Sequence, residues 1–110
     1  MLIFPLKKEW YEKIRSGEKT VEYREVKPYW TKRIAIFTGI PMPFFRNIEF
    51  FPSRRPDCIL RLGYTKRQMR ADITKIEVVD GKDTDLRVDK LVYAIHLANV
   101  RDVEECTTGK

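Results

Sequence analysis

The chain has 110 residues, enough for one domain spanning 1–110 and too few for two independent cores. With 43% hydrophobic and 35% charged residues it is expected to fold rather than remain disordered. Twenty-two basic side chains against sixteen acidic ones give +6, a balance that points toward an anionic partner without naming one.

LIFPL (2–6) reads as a short buried strand, with Pro5 placing it at an edge or ending it. From Lys8 to Ser16, Trp10, Tyr11 and Ile14 fall at helical spacing, and Gly17 supplies the left-handed residue that closes a helix. TVEYRE (20–25) alternates: Val21 and Tyr23 are expected on the buried face, Thr20, Glu22 and Arg24 on the other. Pro28 suits a first helical turn, and the spacing of Trp30, Ile34 and Phe37 predicts a second helix to about residue 38.

Residues 39–56 hold four prolines and four phenylalanines without a period and read as a long loop. DCILRLG is a strand, YTKRQ a polar turn, and MRADITKIEVVD a long strand closed by DGKD. Residues 83–90 are polar and irregular. LVYAIHLANV is a last strand with Leu91, Tyr93, Ile95 and Leu97 on one face. Five strands with both helices in the first third predict an α+β, mainly β fold. Its expected form is a small, partly closed β-barrel with one or two helices covering one opening.

The positive charge is unevenly spread. Residues 7–33 hold nine basic and five acidic side chains (+4), residues 53–75 seven and two (+5), and residues 76–110 five and eight (−3). Two basic segments make nucleic acid the natural suspect. One histidine and two cysteines do not supply a zinc cluster, and isolated glycines form no phosphate loop, so neither metal nor cofactor is expected. His96, in mid-strand, is expected to be packed or solvent-facing rather than catalytic. Cys58 lies in an apolar run and Cys106 near the C-terminal tail, a poor disulfide pair. MLIFPL is too short for a signal peptide, and no apolar stretch approaches the ~20 residues of a membrane span, so a cytoplasmic protein is expected.

The stretch SGEKTVEYRE (16–25) crowds ionisable side chains around one strand start. Lys19 sits at the turn, and Glu22 and Arg24 share a strand face. Two cations beside one carboxylate keep it ionised and leave one net positive charge for a ligand. A guanidinium fork suits a phosphate or a base edge. On periodicity alone a solvated strand edge is the favoured reading. Trp10 and Tyr23 are expected in the core. Tyr64 stands after a glycine amid Lys66, Arg67 and Arg70, where an aromatic among cations can stack a base.

The pattern LKKEWYEKIRSGEKTVEYR resembles the opening of the ASCH family, within the PUA-like superfamily. The family signature, G-x-K-x-x-x-x-R after a first helix, is met by Gly17, Lys19 and Arg24. A strand ending in Gly63-Tyr64, a long strand and the final YAIHLANV extend the resemblance over most of the chain, with 39–56 least typical. It implies a β-barrel with a helix-lined cleft that binds RNA or nucleotide-like ligands, lined by Lys19, Glu22 and Arg24 with Lys7 beside them. Some small members of the family are amidohydrolases of acylated cytidines, using a lysine, a threonine nucleophile and a glutamate. Lys19 matches that lysine, Glu22 stands at the threonine position, and the segment that carries the glutamate offers Asp83, Asp85 and Asp89 here.

The expected function is therefore RNA or nucleotide binding in a basic cleft, with Lys7, Lys19, Glu22, Arg24, Tyr64, Lys66, Arg67 and Arg70 as ligand contacts. The alternative is a hydrolase of a modified nucleoside or of RNA, with Glu22 as general base and Lys19 stabilising charge. A third class is a protein-interaction module that uses the aromatic loop.

Overall fold

The computed structural model describes residues 2–39 and 47–103, which form six strands and two α-helices. In chain order these are β1 (Leu2–Leu6), α1 (Lys8–Arg15), β2 (Val21–Glu25), α2 (Pro28–Thr38), β3 (Asn47–Glu49), β4 (Asp57–Leu62), β5 (Gln68–Asp80) and β6 (Leu91–Asp102). The sheet runs β1-β4-β5-β6-β2, with β3 joined to β5, and curls into a half-barrel. The fold is α+β and mainly β.

Both helices begin and end on the residues that sequence chemistry designates. Tyr11 and Ile14 bury the inner face of α1, and Gly17 takes a left-handed φ of 87° just past its end. The amide of Lys19 then reaches back to the Lys13 carbonyl at 3.0 Å, which holds Lys19 against the helix terminus. Pro28 opens α2, Trp30 and Ile34 are buried on it, and Gly39 ends it at φ 75°.

Six strands replace the expected five because β5 is thirteen residues long and β4 pairs only its first part. The edge left over, Lys75 to Glu77, is paired by β3, and the Phe50 amide continues the contact to the Thr74 carbonyl at 2.9 Å. The stretch read as one long loop therefore contains a strand and a short 3-10 turn at Pro52–Arg54. Its most proline- and phenylalanine-rich part, 40–46, lies outside the described residues. Register shifts in the β5–β6 pairing, between Arg70 and Asp72 and between Ile73 and Lys75, mark irregularities of the kind that bend and twist a sheet.

The curled sheet wraps a core built on Phe4, Trp30, Leu60, Ile73, Tyr93 and Ile95. Cys58 lies in it as a free thiol, pushed up to about 12 by burial, and Cys106 lies outside the described residues. Among the described residues no helix is long and apolar enough to cross a membrane.

The half-barrel does not close. β1 and β2 are the two ends of the strand order and share no ladder. The Thr20 carbonyl accepts from the Leu97 amide, and the Val26 amide donates to the Leu91 carbonyl, so even-numbered residues of β2 aim their main chain at β6. The main-chain groups of Tyr23 and Glu25 consequently face the open seam. Pro5 stands opposite on the β1 edge, the kind of position where a missing N–H is tolerated.

Candidate functional site

The unclosed seam holds a cavity of about 350 Å³. Pro5, Leu6 and Lys7 form one side, residues 22–25 of β2 the other, and Trp10, Lys27, Trp30 and Leu86 complete the wall. A second cavity of about 410 Å³ adjoins it behind Trp10 and Tyr23, lined by Lys19 and by residues 83–85. The two cavities share those two aromatic side chains.

Strand parity explains the polar floor and corrects one expectation. Glu22 lies opposite Ile95 and Arg24 opposite Tyr93, so the polar pair sits on the core side of the sheet. Glu22 is only 5% exposed, whereas Val21 and Tyr23, expected to be buried, are half-buried. Arg24 donates to Glu22 Oε2 through Nε at 2.8 Å and pairs with it through Nη2 at 2.7 Å. The same Nη2 donates to the Pro5 carbonyl at 2.8 Å. Its guanidinium also lies over the rings of Trp30, 4.9 Å from the centroid, and Phe4, at 5.2 Å. Arg24 thus latches the two free strand edges together by its side chain, where the backbone does not pair.

Burial pushes the Glu22 carboxyl above the usual carboxylate range; Arg24 and then Lys19 pull in the opposite direction. The flanking cations were expected to keep it ionised. The structure adds a desolvation that they must oppose. Glu22 Oε1 has no hydrogen-bond partner among the described residues, so one carboxylate oxygen remains for a donor from a ligand.

Lys19 does not share the seam cavity. Its ammonium pairs with Asp85 and lies over the rings of Tyr23 at 4.8 Å and Trp10 at 5.2 Å, which leaves its side chain 11% exposed. Trp10, expected in the core, is half-buried and serves as the wall between the two cavities. Asp85 reaches Lys19 because the segment after β5 is tightly folded. The buried Thr84 hydroxyl donates to the Gly81 carbonyl at 2.8 Å and accepts from the Leu86 amide at 3.2 Å.

The cations that face the seam cavity freely are Lys7 and Lys27; among the described residues neither is in an ion pair. Each occupies the cap position of its helix, and neither helix start has a side-chain cap. Of the first-turn residues Trp10 and Trp30 line the cavity, and Pro28 has no N–H to offer, so the two ammonium groups are the main feature there that favours an anion. Counting Lys7, Arg24 and Lys27 against Glu22 and Glu25, three minus two, the cavity carries +1.

The other sequence-designated residues lie elsewhere. Tyr64, Lys66 and Arg67 are exposed on the β4–β5 turn and line neither cavity. Arg67 stands 4.0 Å from Glu12. Arg70 is engaged by Asp57 through Nη1 at 2.7 Å. His96 bonds Glu77 at 2.7 Å across β5 and β6, and this bond holds the Glu77 carboxyl below its usual range. Among the described residues no group of three His, Cys, Asp or Glu side chains is placed to hold a metal ion.

Sequence reasoning missed Lys27, Trp30 and Leu86 as cavity residues and Asp85 as the partner of Lys19. One signal was available: Trp10 and Trp30 are each the third residue of a helix preceded by a lysine. Compared with protein-family models, curated proteins and solved structures, the chain has no match.

Proposed function

We propose that this chain is an ASCH-type, PUA-like domain that binds RNA or a nucleotide-like ligand in the seam cavity. The observation that carries the proposal is a convergence. One cavity of about 350 Å³, within the size range of small-ligand sites, holds aromatic walls, a buried carboxylate with a free oxygen, and two uncapped helix starts with lysines. A base between Trp10, Tyr23 and Trp30 would donate to Glu22 Oε1, and its phosphate would meet Lys7 and Lys27.

Binding of short single-stranded RNA should weaken as salt rises, with a log–log slope of about −0.7 for each phosphate neutralised. Lys7→Gln and Lys27→Gln should each make that slope shallower by about 0.7. Arg70→Gln should leave it nearly unchanged, because Asp57 already holds Arg70. Titration at a series of salt concentrations measures all three; an affinity indifferent to salt in the wild type would sink the proposal.

A hydrolytic reading is favoured by one contact, the pairing of Lys19 with Asp85 from the segment before the last strand, beside Glu22. There Glu22 Oε1 would take a proton from water as the water oxygen attacks an acyl carbon. The C–N bond would break and the proton would pass to the departing nitrogen. Binding stands first because position 22 lacks the threonine nucleophile and Arg24 holds Oε2. Glu22→Gln separates the two roles. An organising Glu22 predicts a modest loss of affinity and no turnover to lose. A general base predicts unchanged affinity and turnover of acylated cytidines reduced by roughly a hundredfold or more.

A further inference from the structure

We propose that the natural ligand is a single strand of RNA rather than a lone nucleotide, and that the strand leaves the seam cavity over Lys7 and stacks a neighbouring base on Tyr64. This rests on the reading of the cavity as a nucleotide site and extends it to a second contact point.

Position comes first. Leu6 and Lys7 line the cavity, and the Leu6 carbonyl accepts a hydrogen bond from the Gly63 amide at 2.8 Å. The β4–β5 turn is thereby fastened to the rim. From backbone dimensions and the Gly63–Leu6 bond, the Cα atoms of Tyr64 and Lys7 are at most about 11 Å apart, so one or two nucleotide steps of an extended strand pass from one to the other.

Presentation is the second observation. Tyr64 is 98% exposed, yet the turn that carries it is well fastened. The Thr65 hydroxyl donates to the Leu62 carbonyl at 2.6 Å and accepts from the Arg67 amide at 3.2 Å. The Leu62 amide closes the turn on the Arg67 carbonyl at 3.0 Å. A defined turn thus presents an aromatic ring to water, as a stacking platform requires, and a base has to order only the two side-chain torsions of Tyr64, not the backbone that carries it.

Charge is the third. Lys7, Lys8 and Lys66 are exposed and, among the described residues, in no ion pair. Lys7 lines the cavity, Lys8 follows it at the start of α1, and Lys66 stands two residues from Tyr64 on the same turn, so cations lie at both ends of the path for a phosphate backbone.

The test compares two probes, nucleoside 5′-monophosphates and a mixed-sequence single-stranded RNA of about eight nucleotides. Wild type should bind the RNA at least tenfold more tightly than the monophosphates. Tyr64→Ala should weaken RNA binding by roughly 5- to 100-fold and leave monophosphate binding within about twofold. Tyr64→Phe should keep the RNA affinity, since the ring supplies the contact. Tyr64 buries almost nothing, so these variants should fold as wild type does. Lys27→Gln, confined to the cavity, should weaken both probes alike. The strand path is overturned if Tyr64→Ala leaves RNA binding intact, if it weakens both probes equally, or if RNA binds no better than monophosphates. In each of these cases the cavity reading stands as long as Lys27→Gln still weakens the monophosphates. A wild type that binds neither probe overturns both.

Discussion

Arg24→Met is expected to lower the unfolding free energy by about 3 kcal/mol or more at neutral pH, the usual scale for stripping one partner from a buried ion pair. Methionine keeps most of the packing volume against Phe4 and Trp30, so the loss isolates the charge and its hydrogen bonds. Glu22 would be left buried beside a more distant Lys19, and the Pro5 carbonyl would lose its donor.

The pH dependence has a definite sign. Burial raises the folded-state pKa of Glu22 above its unfolded value. Its contribution to stability is therefore fully present below the unfolded pKa and is lost as pH rises through the folded one. Arg24 limits that rise. Without it the folded pKa climbs further, and the window of loss extends upward. The deficit of Arg24→Met should be smallest in acid, where Glu22 is protonated in both proteins, and should grow toward neutrality. Urea unfolding across that range measures it. A deficit that is the same at every pH would mean that Arg24 acts through its bond to the Pro5 carbonyl and its ring contacts, not through its pairing with Glu22. Adding Glu22→Gln to Arg24→Met should recover part of the loss at neutral pH, because no charge is then left unpaired.

Gly81→Ala should destabilise the protein by about 1–3 kcal/mol and uncouple Asp85 from Lys19. A Cβ at position 81 would stand 2.6 Å from the Lys90 carbonyl, 2.6 Å from Val88 Cγ2 and 2.8 Å from the Val88 carbonyl. Two of those atoms are backbone, so relief requires the segment itself to move. That segment is tied to Gly81 by the bond from its amide to the Lys90 carbonyl at 2.7 Å and by the Thr84 hydroxyl at 2.8 Å. It also carries Asp85 to Lys19 and Leu86 to the seam cavity. A fall in Tm of roughly 5–15 °C is expected. Lys82→Ala, at an exposed neighbour, should leave Tm nearly unchanged. An unchanged Tm in Gly81→Ala would show that the segment yields freely and does not fix Asp85.

The sequence by itself determined the local elements, because they follow from chemistry within a few residues. Gly17 and Gly39 end helices through left-handed backbone, Pro28 opens one, and period-two alternation places Glu22 and Arg24 on one face of β2. Alternation cannot say which face the sheet curls around. The tertiary structure decided that the polar face of β2 points inward, since its pairing with β6 sets Glu22 and Arg24 beside Ile95 and Tyr93. It also decided that the barrel stays open, because β1 and β2 end the strand order unpaired and a side chain rather than a ladder spans the gap. From that gap come the cavity, the roles of Trp10 and Tyr23 as walls, and the meeting of Lys7 with Lys27 from helices far apart in sequence. Each of these depends on long-range register and curvature, set by how β5, β6 and their irregularities bend the sheet, and a period along one strand carries no record of them.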